Sequence, residues 1–195
     1  MHGLMNRAIE CFMRDTYGNA RWAEVVLAAR LDFDGFEAML RYDPALTCRV
    51  LDAITDTLGK PRDDLLEDIG TYLVSHTKTE PLRRLLRFGG VTFVEFLHSL
   101  DELPERARLA VDDLDLPPLE LRDHTANRFS LTVRAETHGF GHVMIGVLRA
   151  MADDYGALVM LEHRGGQAGV EVISIALVET EFAEGRSFHL GARAG

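Results

Sequence analysis

Cysteine is scarce in this sequence, basic charge is outnumbered, and long apolar runs are missing. The two cysteines, Cys11 and Cys48, stand far apart inside separate apolar helical patterns. Without CxxC spacing or a secretory signal, they read as buried thiols rather than as a disulfide or a thiolate metal cage. Lysine and arginine number 21 against 31 aspartates and glutamates, for a formal net charge of −10. Such a chain repels a phosphate backbone, and no basic stretch offsets the repulsion locally, so nucleic acid is not an expected partner. No run approaches the roughly 20 apolar residues of a membrane helix. The expectation is a soluble protein of the cytoplasm. A nucleophile motif, a glycine-rich phosphate loop and a convincing pair of titrating groups are missing too, so no enzyme is expected.

What is present is enough for one domain: 195 residues, 47% of them hydrophobic, can bury a real core and a small-molecule pocket. The first 116 residues read as helical. Leu4, Met5, Ala8, Ile9, Phe12 and Met13 recur at spacings of three and four, and Tyr17-Gly18 closes that helix. "RWAEVVLAARL", "DPALTCRVLDAITDTLG" and "PRDDLLEDIGTYLVSHT" follow, the second with Asp43 as cap and Pro44 at the first helical position. A short helix from Glu80 to Phe88 ends at Gly89-Gly90. The last 79 residues alternate instead: "LELRD", "NRFSLTVRAE", "ALVMLEHR" and "GVEVISIALVE" are strand-like, with the helical run "HVMIGVLRAMADDYG" among them. Helices followed by strand, strand, helix, strand, strand make an α+β fold with an antiparallel sheet and one long helix.

The opening "MHGLMNRAIECFMRDTYG", "IGTYLVSHT", "LLRFGGVTFVEFLHSLDEL", "LPPLEL" and "VMIGVLRAMADDYG" resemble, in order and spacing, the heme nitric oxide/oxygen-binding (H-NOX) domain of bacterial gas sensors and of soluble guanylate cyclase. The likeness covers nearly the whole chain. It implies a helical distal lobe, residues 1–80, and an α+β proximal lobe, residues 81–195, with a heme buried between them and its iron held by one histidine.

Two family signatures are altered. The resemblance places the iron-binding histidine at the end of a Leu-Asp-x-Leu-His pattern, and here the chain reads Leu100-Asp101-Glu102-Leu103-Pro104. Proline has no lone pair for iron, and in a helix interior it costs about 3 kcal/mol or more. The plainer reading is a helix that breaks at this point, with Ser99 and Glu102 forming a capping box. The family also holds the heme carboxylates with Tyr-x-Ser-x-Arg on a strand, where alternation turns the three side chains to one face. The matching positions are Val133, Ala135 and Thr137, while Arg134 has the opposite parity and belongs in solvent. Heme is implied by the family, yet its ligand and its anion clamp are both replaced.

Other positions carry alternatives. His142 falls near the family position that lines the distal gas pocket and is the candidate iron ligand; its other reading is packing at the start of a helix. His98 lies too far from Pro104 to reach the same iron. "HGFGH" could chelate zinc only if His138 and His142 shared a helix, which Gly139 and Gly141 oppose. Asp112, Asp113 and Asp115 read as a solvated loop. By resemblance, Pro117 presses on the heme plane, and Met5, Ile9, Leu73, Thr77 and Val143 line the pocket; at helical spacing such residues are also ordinary core. The sequence therefore predicts a stand-alone H-NOX-like sensor or signalling domain with a degenerate heme site. Its expected partners are a histidine kinase, a diguanylate cyclase or a small apolar ligand. Two alternatives stay open: a gas sensor ligated through His142, and a heme-free binding module.

Overall fold

In a computed structural model that describes residues 1–135, 138–167 and 169–188, the helical part is built by local rules the sequence already displays. Helix α1 (Gly3–Tyr17) is capped by the His2 imidazole, whose Nδ1 accepts the Leu4 N–H at 3.1 Å. It is followed by α2 (Asn19–Ala28) and by α3 (Pro44–Leu58), where the Asp43 carboxylate accepts the Ala45 N–H. Helix α4 (Arg62–Ser75) completes this half. Its apolar stripes meet in one cluster around Phe12, Met13, Trp22, Val25, Ile54 and Leu65. Cys11 and Cys48 are free and only half-buried, a correction to their reading as buried thiols, since both lie at the edge of their helices' apolar faces.

Helix α5 (Glu80–Arg87) and α6 (Phe93–His98) lead, through a 3₁₀ turn at Leu100–Glu102, into α7 (Leu103–Ala110). This corrects the cost assigned to Pro104. The chain breaks before it, so proline sits in the first turn of α7, where a backbone N–H would have no helical partner anyway. The expected capping box also moves: Thr92 and Glu95 form it at the start of α6, while the Ser99 hydroxyl donates to the Phe96 carbonyl.

Strands β1 (Leu119–Thr125), β2 (Arg128–Arg134), β3 (Leu158–Gln167) and β4 (Val170–Glu179) form an antiparallel sheet in the order β1-β2-β4-β3. Helix α8 (Phe140–Tyr155), between β2 and β3 in the chain, lies on one face. Alternation sends Phe129, Leu131 and Val133 of β2, with Ile173 and Ile175 of β4, against Met144, Leu148 and Met151 of α8. Phe96, Leu100 and Leu103 close the same cluster from the side.

The two halves meet where α4 crosses α8. A Cβ on Gly70 would lie 2.0 Å from the Val143 carbonyl oxygen, and one on Gly146 would lie 2.0 Å from that of Glu67. Only glycine permits this approach, so the two backbones touch with no side chain between them.

Candidate functional site

The positions singled out by the sequence divide between the two apolar clusters. Ile9 is buried in the helical cluster, with Leu73 and Val143 packed against it; Met5 is half-buried on α1. Val133 and Ala135 belong to the sheet cluster, where Val133 is fully enclosed, and Pro104 is buried at the start of α7. Pro117 is half-buried in the segment entering β1. Thr77 is exposed in a 3₁₀ turn after α4, which corrects its assignment to the pocket: the helix ends at Ser75 and the chain turns outward. Thr137 lies outside the described residues. Arg134 points to solvent, as its parity predicted, and pairs with Glu120 at 3.2 Å.

His142 is half-buried on the side of α8 that faces α4 and the sheet edge, rather than in either apolar cluster. Its Nδ1 faces Glu67 Oε1 at 3.3 Å and its Nε2 faces Asp63 Oδ2 at 3.6 Å, while its ring stacks on His163 at 4.2 Å between centroids. Glu67 also accepts from Arg149. Both ring nitrogens thus look at acceptors that α4 provides. His163 accepts the Gly165 N–H at Nδ1, which leaves its Nε2–H to face Glu171 Oε2 at 3.4 Å. These imidazoles, together with His138, Arg62 and Glu171, line a cavity of about 460 Å³ beside the start of α8. Among the described residues, no three His, Cys, Asp or Glu side chains are grouped so as to hold a metal ion.

The remaining described histidines are engaged elsewhere. His2 is buried, with Nδ1 capping α1 and Nε2 on Asp113 Oδ1 at 2.9 Å. That contact, with Arg41 bonded to the Asp113 carbonyl, ties the loop after α7 to α1 and holds the Asp113 carboxyl below the usual carboxylate range. The solvated-loop reading missed it. His98 is exposed and meets Asp123, His124 meets Ser130, and His76 stacks on Tyr72.

Two buried polar centres were also missed. Glu171 is enclosed beneath α8, and its carboxylate accepts the Gly139 and Gly141 N–H groups, each at 2.6 Å. Parity could have found it, since it shares the inward alternation of Ile173 and Ile175. Asp154, on the buried stripe of α8, accepts from Arg83 Nε at 2.8 Å, with Arg87 and Arg186 within 3.7 Å. Arg87 lies 3.9 Å over the Tyr155 ring. The available signal was its place in the apolar stripe of α8, three residues after Met151 and seven after Val147.

The family model for haem-NO-binding domains matches residues 2–163. Soluble guanylate cyclase gcy-31 of Caenorhabditis elegans is 27% identical over 79% of this chain and 22% of its own length. Soluble guanylate cyclase 89Da of Drosophila melanogaster is 20% identical over 80% of this chain and 23% of its own. The chain thus spans less than a quarter of these curated relatives. Among solved structures, the Fe(II) unliganded H-NOX protein from K. algicida superposes with a TM-score of 0.77 at 17% identity, covering 94% of this chain and 100% of that one. An oxygen-binding H-NOX domain related to soluble guanylate cyclases gives 0.72 at 16% identity, covering 96% and 100%. These likenesses show the fold, and with the family model spanning most of the sequence, the chain belongs to the haem-NO-binding (H-NOX) family.

Proposed function

We propose that this domain is a sensory or signalling module of the H-NOX family that does not hold heme in the family's manner. The observation that carries this is the enclosure of Val133, together with Ala135 and Pro104, at the positions of the clamp and the iron ligand. A heme brings two carboxylates and an iron that needs an axial donor. Pro104 supplies no donor, and Val133 and Ala135 supply no hydrogen bonds, so two propionates buried against them would lose water without compensation. The residues present do not fit the cofactor.

The alternative of ligation through His142 is less well supported. Both of its nitrogens face carboxylates of α4, and its ring is stacked on His163. The cavity beside it is lined by Leu66 and Cys48 as well as by histidine, arginine and carboxylate side chains, so it does not single out a small apolar ligand. Signalling through a protein partner, such as a histidine kinase or a diguanylate cyclase, remains the output we propose, with no catalytic role for this domain.

The test is one spectrum. Heme absorbs intensely at the blue edge of the visible range, and protein expressed with added heme is expected to purify colourless. A stoichiometric heme band would overturn the reading. If that band then shifted in His142→Ala, the gas-sensor alternative would take its place.

A further inference from the structure

Glu171 lies directly across the sheet from Val133, the first of the three replaced clamp positions. Opposite residues of an antiparallel pair project to the same face, so the two side chains share the space under the start of α8. One is apolar. The other is a carboxylate only 3% exposed.

That carboxylate is held as a bound anion is held. Gly139 N–H donates to Oε1 and Gly141 N–H to Oε2, each at 2.6 Å, so the two oxygens are gripped separately by the first turn of α8. His163 Nε2 approaches Oε2 at 3.4 Å, and His138 Nδ1 lies 3.8 Å from Oε1. A Cβ on Gly141 would fall 2.3 Å from Oε2 and 2.9 Å from His163 Nε2, so the seat exists only because residue 141 lacks a side chain. The free N–H groups and positive end of a helix favour negative charge, and here they have it.

We infer that the start of α8 is a carboxylate-binding site that the chain fills from within with Glu171. Resting on the heme-free reading above, it gives that reading a cause: the module has exchanged the carboxylates of an external ligand for one of its own. Glu171 is then a built-in competitor. An acidic ligand entering the adjoining cavity meets a seat already taken and a buried negative charge behind it.

The experiment is chemical rescue of the full chain. Glu171→Ala vacates the seat and is expected to lower Tm by about 5 °C or more, as two charge-assisted hydrogen bonds are lost. Sodium formate or acetate is expected to restore part of that loss along a saturating curve. Sodium chloride at equal ionic strength restores none of it, and wild type shows no saturating response to formate. A folded Glu171→Ala protein without a carboxylate-specific gain overturns the inference. Should that variant not fold, amide exchange in the wild type decides. Gly139 and Gly141 are expected to exchange slowly, and exchange at the rate of an open loop overturns it. Gly141→Ala, which keeps Glu171 but blocks its seat, is expected to lose stability without being rescued by formate; rescue there would also count against the site. Hemin bound by wild type would instead overturn the heme-free reading, whereas failed rescue in a colourless protein overturns only the internal carboxylate.

Discussion

Pro104→His is the substitution that tests most directly whether a proline at the family's iron-ligand position is enough to account for the heme-free function proposed above. Pro104 is buried in the first turn of α7, next to Leu103, which enters the sheet cluster, and three residues before the buried Ala107. Losing proline where its backbone fits costs about 0.4–1 kcal/mol through the unfolded chain. Burying an imidazole there without a partner costs about 1–3 kcal/mol more. For a chain of this length, the sum of roughly 1.5–4 kcal/mol lowers Tm by about 3–16 °C. A heme that bound would more than recover this loss, because a ligand that binds only the folded state stabilises it in proportion to its affinity.

The expected result is a folded, less stable protein that stays colourless in a hemin titration, with Tm unchanged by hemin. Restoring the clamp as well is not expected to help. Val133 is fully enclosed, so Val133→Tyr forces a phenol into filled space at about 1–3 kcal/mol or more. Tight five-coordinate hemin binding by Pro104→His alone, with a rise in Tm, would refute the reasoning: the cluster would have opened around the ring, and the domain would be one substitution from an ordinary heme protein.

Three further outcomes are expected. Gly70→Ala and Gly146→Ala each place a methyl 2.0 Å from a carbonyl oxygen across the α4–α8 crossing; the strain of about 1–3 kcal/mol exceeds the helix-propensity gain of up to about 1, so thermal melts show a lower Tm in both. Asp154→Ala removes the carboxylate at Arg83 Nε and leaves that buried guanidinium only the Glu80 carboxylate, at 3.0 Å, at about 3 kcal/mol, the low end for breaking a buried pair, and lowers Tm by roughly 6–12 °C. The Asp15 carboxyl is held below its ordinary value of 3.8, first by its hydrogen bond with Lys78 and also by that with Tyr72, although burial acts the other way. A depressed folded pKa stabilises the fold above 3.8 and ceases to do so as pH falls through the depressed value, so the Tm gap between wild type and Asp15→Asn is constant near neutrality and closes only in acid.

Much of the fold was legible because its determinants are local. Asp43-Pro44 marks a helix start by a side-chain cap and a fixed φ, Gly18 ends α1 at a φ of 87° that favours glycine, and the alternation of "NRFSLTVRAE" fixes which side chains of β2 face inward. The shared inward parity of Val133 and Ala135 could be read for the same reason, since parity along one strand is a property of that strand. Contacts made between distant segments could not be read in this way. Pro104 looked like a flaw in a helix because the 3₁₀ turn before it depends on how α6 and α7 pack rather than on their composition. Thr77 looked like a pocket residue because the end of α4 is set by where the chain must turn toward α5.

His142 and Glu171 show how the same residue types acquire different meanings from their surroundings. A histidine near a gas pocket suggests a ligand, but two carboxylates of α4 and the ring of His163 engage it on three sides. A glutamate in an apolar strand suggests an error of register, but two backbone N–H groups hold it in place. Both side chains lie near the start of α8, the element that rests on the sheet and touches the helical half. Removing a cofactor from such a junction would leave its helix terminus unsatisfied and its layers unsupported. Here Glu171 meets the first need, and the close crossing of α4 and α8, with the side chains packed around Val133, meets the second. Under the heme-free function proposed above, meeting both needs with its own residues is what would let the domain keep the family's shape without a cofactor.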